Sequence, residues 1–231
     1  MDMLWKSLQE AGRLLLEVDP LVYDATLRSI WITGTAIAFA AAAGLPLGTL
    51  LARKQFIGRR FLVAFCRAGM AVPTVFVGLV CFALFSRQGP LGSLQLIYTP
   101  YAIMFGELLL ALPIVTSICH GSISTLDPRL GETAKTLGAG PLRRWGTYLS
   151  EARVGVTLAI LTAFARCVTE LGIAMIVGGN IPNRTRTLAT ATAMETDKGE
   201  FERGVAMGLI LLLLALLAAL SIGLLSRRTE K

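Results

Sequence analysis

Four ionisable residues, Arg67, Glu107, Arg166 and Glu170, stand inside long apolar stretches of this sequence. A charge at membrane depth costs roughly 2.5–3.5 kcal/mol on insertion scales, so such groups need partners or water. Arg166 and Glu170 are four residues apart and share one helix face. They can pair with each other, or with Glu107 and Arg67 across helices. Three kinds of chemistry fit two cations and two acids in that setting: an ion-pair network that fixes helix register, a positive lining for an anion's path, or a proton relay. A second constellation, Asn180, Arg184, Thr185, Arg186 and Thr187, lies within twenty residues of Glu170. Hydroxyl and guanidinium groups donate to the oxygens of a small tetrahedral oxyanion. The same groups also suit a solvated loop touching a binding protein or lipid head groups. Neither HExxH nor GxxxxGK[ST] occurs, so we expect no catalytic residue, no metal site and no nucleotide hydrolysis by this chain. The single histidine, His120, is expected at the membrane interface, and Cys66, Cys81, Cys119 and Cys167 as small apolar packing residues.

The elements that must hold these groups are set by composition. Of the 231 residues, 54% are hydrophobic and 16% charged, and mean hydropathy is +0.66. Soluble domains carry about 25% charged residues, so a soluble globular enzyme is excluded. A helix needs roughly 20 mostly apolar residues to cross a bilayer. Five stretches qualify, at 27–51, 61–85, 97–119, 154–177 and 204–225. The fold class is therefore all-α integral membrane with five transmembrane helices, and one membrane domain over 27–226 uses nearly all of the chain. Residues 1–26 lack the continuous apolar core of a signal peptide. Leu4, Leu8, Ala11, Leu15 and Val18 recur at steps of three and four, which predicts an amphipathic helix at the membrane surface. Gly44 and Gly48 form a GxxxG suited to close helix packing.

The positive charge of +7 has to be located before it is interpreted. Connections 52–60 and 121–153 and the C-terminus hold twelve basic residues against four acids. The N-terminus and the other two connections hold eight basic residues against nine acids. Lys and Arg in short loops mark the cytoplasmic side, so the N-terminus is expected outside and the C-terminus inside. The charge is then a topology signal, and no basic stripe with interleaved aromatics points to nucleic acid.

The connection at 121–153 is longer than antiparallel spans require. Asp127 as N-cap, Pro128 at the first helical position and Gly138 as a break predict one short helix, and Pro141 starts a second. Two short helices folded at a glycine form a knob of the kind that docks on a soluble partner. Glu132-Thr133-Ala134, then Leu137-Gly138 and the run through Leu142 to Trp145, resembles the EAA loop of permease subunits of ABC importers. The pattern departs at Ser150-Glu151, where many members have Leu-Pro. The resemblance implies a cytoplasmic coupling helix, around Glu132, Thr133, Ala134, Leu137, Gly138, Leu142 and Trp145, seated on a separate ATPase.

Further residues resemble the tungstate branch of the oxyanion permeases: Phe164-Ala165-Arg166, the run 170–175, GGNIPNRTRTL at 178–188, Glu151-Ala152-Arg153, the run 86–92 and the run 195–202. The molybdate branch shares a related Asn-Ile-Pro-Gly, but here Asn183 comes after Pro182. The resemblance covers the chain from about Leu27. It implies a type I ABC importer permease in the plasma (inner) membrane of a bacterium or archaeon, in contact with membrane lipid. It further implies a homodimer, an ABC ATPase that carries ATP and Mg, an extracytoplasmic tungstate-binding protein, and alternating access as mechanism. No cofactor is expected on this chain. Molybdate or another small oxyanion is the alternative substrate, and a proton-coupled secondary carrier the alternative of another class.

Overall fold

The computed structural model describes residues 2–16 and 19–227. Val18 of the N-terminal stripe, and Glu17, Arg228, Glu230 and Lys231 of the charge counts, lie outside the described residues. The described residues form ten α-helices: α1 (Asp2–Leu16), α2 (Pro20–Arg53), α3 (Arg59–Gly69), α4 (Thr74–Phe85), α5 (Pro100–Ser124), α6 (Leu130–Thr136), α7 (Pro141–Glu151), α8 (Arg153–Val168), α9 (Leu188–Asp197) and α10 (Phe201–Arg227). A 3₁₀ turn at Gly92–Leu94 and a π-helical turn at Ala174–Gly178 complete the ordered elements. No strand occurs among the described residues.

Three helices, α2, α5 and α10, are each long and apolar enough to cross a bilayer. The core forms where α2, α4, α5 and α8 meet, around Ile32, Cys81, Ile103, Val115, Ala163 and Ile173. The Gly44–Gly48 pair lets α2 approach α5 closely: a Cβ on Gly48 would come within 2.9 Å of the Thr116 carbonyl oxygen. Pro46 lies between them inside α2.

Two expected spans are not continuous helices. The stretch 61–85 is the pair α3–α4, bent by 104°. The break has a local cause: Gly69 packs against Pro113 of α5, where a Cβ would meet a proline carbon at 3.0 Å. Pro73 then lacks a donor and drives the preceding residue out of helical geometry. The chain still climbs along α5, from Arg67 beside His120, through Gly69 at Pro113, to the edge-on contact of Phe85 with Phe105.

The stretch 154–177 breaks as well, because the Glu170 side chain caps the turn that begins at Ile173. Its Oε1 accepts from Ile173 N at 3.2 Å, and α8 ends at 16 residues. Even so, the segment runs antiparallel to α5: Gly155 lies at Ser122, Cys167 at Glu107, Ile173 at Gly106 and Gly178 at Ile103. Hydropathy averages over both breaks, which is why the sequence suggested unbroken spans.

The first boundary also moves. The helix α2 begins at Pro20, inside the stretch 1–26 assigned to an interfacial element. Asp19 caps it, accepting from Leu21 N at 2.9 Å, and Pro20 occupies the first helical position. The preceding α1 buries Leu14 with Val22, Leu188, Met207 and Ile210, while Trp5 and Leu8 stay exposed. An ion pair from Arg203 to Asp19 (3.0 Å) ties α10 to this corner.

Candidate functional site

Four groups of residues carry the chemistry, and the first is the knob of α6 and α7. Asp127 does not cap a helix at Pro128; its Oδ1 accepts from Arg129 N at 2.8 Å in a tight turn, and α6 starts at Leu130. At the other end of α6, Gly138 adopts φ +80°. Its N–H donates to Lys135 O (3.0 Å), and Ala139 N donates to Ala134 O (2.9 Å). That pair of bonds is a Schellman motif, and the glycine supplies the left-handed residue it requires. Pro141 then opens α7 at its first turn. Tyr148 of α7 packs over Gly131 of α6, so a side chain on that glycine would clash with the phenol.

The knob is tied to the end of α2 through Arg53. Its guanidinium lies 4.7 Å from the centre of the Tyr148 ring, and its Nη2 donates to Leu126 O at 3.3 Å. Beneath this contact is a cavity of about 570 Å³ lined by Arg53, Lys54, Arg144, Trp145 and Tyr148 with apolar neighbours from α2. On the outer surface Leu137 is 82% and Leu142 78% exposed. Glu132, Thr133 and Lys135 are exposed on α6, with Glu132 in its first turn and Lys135 in its last.

The second group is the buried acid cluster. Arg166 Nη1 lies 3.0 Å from Glu170 Oε2, and the two side chains are 45% and 3% exposed. Glu107 is buried on α5 with a hydrogen bond from Thr33 of α2, and it feels the Glu170 carboxylate. Its Oε2 has no partner. The structure thus brings Glu107, Arg166 and Glu170 together and leaves Arg67 out. Arg67 is exposed on α3, because the Gly69–Pro113 contact sets it beside residues 116–120 of α5, on the knob side of Glu107.

The third group is the loop between the π-helical turn and α9. Gly179, Asn180 and Asn183 all have positive φ, which small amide side chains tolerate. The Thr185 hydroxyl is fully buried; it donates to Gly178 O (2.6 Å) and accepts from Ile181 N (2.9 Å). Thr187 caps α9, in a reciprocal capping box with Thr190. Asn180 Oδ1 accepts from Arg186 Nε at 3.3 Å. The Arg28 guanidinium donates to Arg186 O at 3.2 Å. These groups hold the loop's own shape, and only Arg184 of the five is exposed.

The fourth group is one that sequence reasoning passed over. A cavity of about 410 Å³ between α3 and α5 is lined by Arg59, Arg60, Val63, Ala64, Arg67 and His120. A small adjoining pocket adds Thr116, Ser117 and Cys66. His120 is therefore a buried side chain facing a basic cavity. The clue available beforehand was the spacing of Arg59, Arg60, Val63, Ala64 and Arg67, which is one helix face. No group of His, Cys, Asp or Glu among the described residues has the arrangement of a metal site.

The described residues thus form a bundle of bilayer-length and broken helices with a helical knob at one end. Residues 44–231 match the family described as binding-protein-dependent transport system inner membrane component, and the chain belongs to that family. It is 34% identical to the tungstate uptake system permease protein TupB of Peptoclostridium acidaminophilum, over 93% of this chain and 94% of that one. It is 36% identical to the protein of the same name from Campylobacter jejuni, over 93% of this chain and 90% of that one. Its fold matches a chain of an inward-facing MetNI methionine ABC transporter with TM-score 0.71 at 18% identity, covering 92% of this chain and 97% of that one.

Proposed function

We propose that this chain is the permease subunit of an ATP-driven tungstate importer. The observation that supports it most is end-to-end identity of 34% and 36% with two tungstate uptake permeases. The architecture agrees, since α6 and α7 present Leu137 and Leu142 on a rigid knob suited to a partner's groove. In this reading two copies of the chain pair with two ATPase subunits, which hold ATP and Mg, and the chain itself is not an enzyme. The homodimer is supported by α3, which buries none of its residues within one copy and leaves Phe61 72% and Phe65 65% exposed.

Charge orients the assembly. The knob, the 52–60 connection and the C-terminus carry the basic excess and face the cytoplasm, so the loop around Arg184 faces outward. An extracytoplasmic binding protein delivers the oxyanion there, where Asn180, Arg184, Thr185, Arg186 and Thr187 form the receiving surface. Given the bonds described above, Arg184 makes the direct contact and the other four shape the loop. Closure of the ATPases moves the knob, and the lever of Arg53 and Tyr148 passes that motion to α2. The helices then exchange outward-open and inward-open populations. Arg166, Glu170 and Glu107 form the intramembrane network of that pathway, with Arg67 nearer its cytoplasmic end.

The test is reconstitution of the chain with its ATPase and binding protein in liposomes, measuring oxyanion-stimulated ATP hydrolysis. Stimulation by tungstate is expected. Stimulation by molybdate in preference would move the substrate to the alternative oxyanion, and a response to sulfate alone would overturn the assignment. A proton-coupled carrier would instead accumulate substrate without the ATPase, driven by a pH gradient.

A further inference from the structure

We infer that the cavity between α3 and α5 is a binding station for a tetrahedral oxyanion, held by Arg67 and His120 with Arg59 and Arg60 also in its lining, and reached by Ser117 from the adjoining crevice. The inference rests on the oxyanion-permease reading and gives that pathway a specific site within this chain.

Three observations support it. The first is charge: three arginines line one cavity of about 410 Å³, and no carboxylate lines it or the adjoining pocket. Like charges gathered on one face repel one another, and an anion between them offsets that repulsion. Arg59 spends its Nε on Leu51 O (2.5 Å). Arg60 and Arg67 have no side-chain hydrogen bond or ion pair among the described residues.

The second is a set of unmet donors. Thr116 Oγ1, Ser117 Oγ and both ring nitrogens of His120 are buried without a partner. Buried polar atoms are satisfied in the great majority of cases, so the Ser117 and His120 orphans beside Arg67 point to a ligand. An imidazole offers a donor even when neutral, and hydroxyls rotate to suit an acceptor. Every side chain of the set can donate, which is what an anion bearing four oxygens accepts.

The third is position. Ser117 and His120 lie beside the partly open α3, which carries its arginines on that face, while Thr116 sits where α2, α3 and α5 meet, with its hydroxyl close to Gly44. Arg67 and His120 lie on the knob side of Glu107 along α5. The station is thus the last polar stop before the cytoplasm, and it is reached when the bundle opens inward. A phospholipid phosphate shares the same chemistry, and the experiment separates the two sources.

The full-length permease is placed in nanodiscs of neutral phosphatidylcholine, without binding protein, and tungstate binding is measured by equilibrium dialysis at fixed ionic strength. Wild type is expected to bind tungstate, with sulfate as competitor. Arg67→Gln should weaken binding by about tenfold, and Arg67→Lys by much less, since loss of one charge-assisted bond is of that order. Ser117→Ala, a mild change for folding, should weaken it by about threefold, as expected for one neutral hydrogen bond. Equal binding by wild type and an Arg67→Gln/His120→Gln double variant of unchanged melting temperature would overturn the station. So would retention of anionic phospholipid by wild type, lost in Arg67→Gln and not displaced by tungstate. The outcome is separable from the transport reading. If the reconstituted complex answers to sulfate alone, the tungstate assignment fails, while the same variants read with sulfate still decide whether the cavity binds an oxyanion.

Discussion

Glu170 does two jobs with one carboxylate. One oxygen accepts from Ile173 N (3.2 Å) and the other pairs with Arg166 (3.0 Å), while the side chain is 3% exposed. Arg166 is nearly half exposed, so the two partners are not equivalent. Removing Arg166 leaves a buried carboxylate without its counter-ion, whereas removing Glu170 leaves the Ile173 N–H unmet and the half-exposed Arg166 without its partner. Removing one partner of a buried pair costs about 3–5 kcal/mol when it strands a buried charge, and Arg166's exposure discounts that figure here. We therefore expect Glu170→Leu to lower the melting temperature of the purified complex, and Glu170→Gln, which keeps an acceptor for Ile173 N, to lower it less. Equal melting of both variants and wild type would show that the capping bond is dispensable. The pairing of Arg166 with Glu170 was legible from a spacing of four on one helix. The separation of Arg67 from Glu107, and the burial of His120, were not. Both depend on how far α3 slides along α5, which is set by a glycine–proline contact 44 residues apart in sequence, from Gly69 to Pro113.

Among the elements, the knob was the most legible because its signals are local. Gly138 and Pro141 each enforce backbone geometry within a few residues, and the Schellman motif and the start of α7 fall where those residues put them. Gly138→Val places a β-branched residue at φ +80°, which costs about 1–3 kcal/mol locally. Because the strain falls on the knob and not on the bundle, folding and membrane insertion should survive. Transport coupled to ATP hydrolysis should fall, read as oxyanion moved per ATP hydrolysed in proteoliposomes. An unchanged ratio would exclude the knob as the transmitting element. The broken spans were illegible for the opposite reason. Apolar composition says that a stretch prefers lipid, and it is silent on whether Gly69 and Pro73, or a capping Glu170, interrupt the helix inside it.

For the whole molecule, the proposed orientation rests on the twelve basic residues in the 52–60 and 121–153 connections and the C-terminus. In a variant lacking the four native cysteines, a cysteine introduced at Ser93 should react with an impermeant maleimide in intact cells. One introduced at Ala139 of the knob should react only after the membrane is opened. The reverse pattern would invert the topology and with it the assignment of the knob to the ATPase. The bend of 104° between α3 and α4 also bears on how the protein is made. At 1.5 Å per residue the two halves are only roughly 16–18 Å long, against a hydrocarbon core of about 30 Å. Neither half is long enough to leave the secretory channel for lipid as an ordinary spanning helix. We therefore expect residues 59–85 to settle only once α5, made afterwards, offers Pro113 and Phe105 as a surface to lean on. The order of synthesis thereby becomes a dependency: the second crossing is stabilised by the third, and a ribosome that stalls before residue 100 leaves a nascent chain anchored by α2 alone.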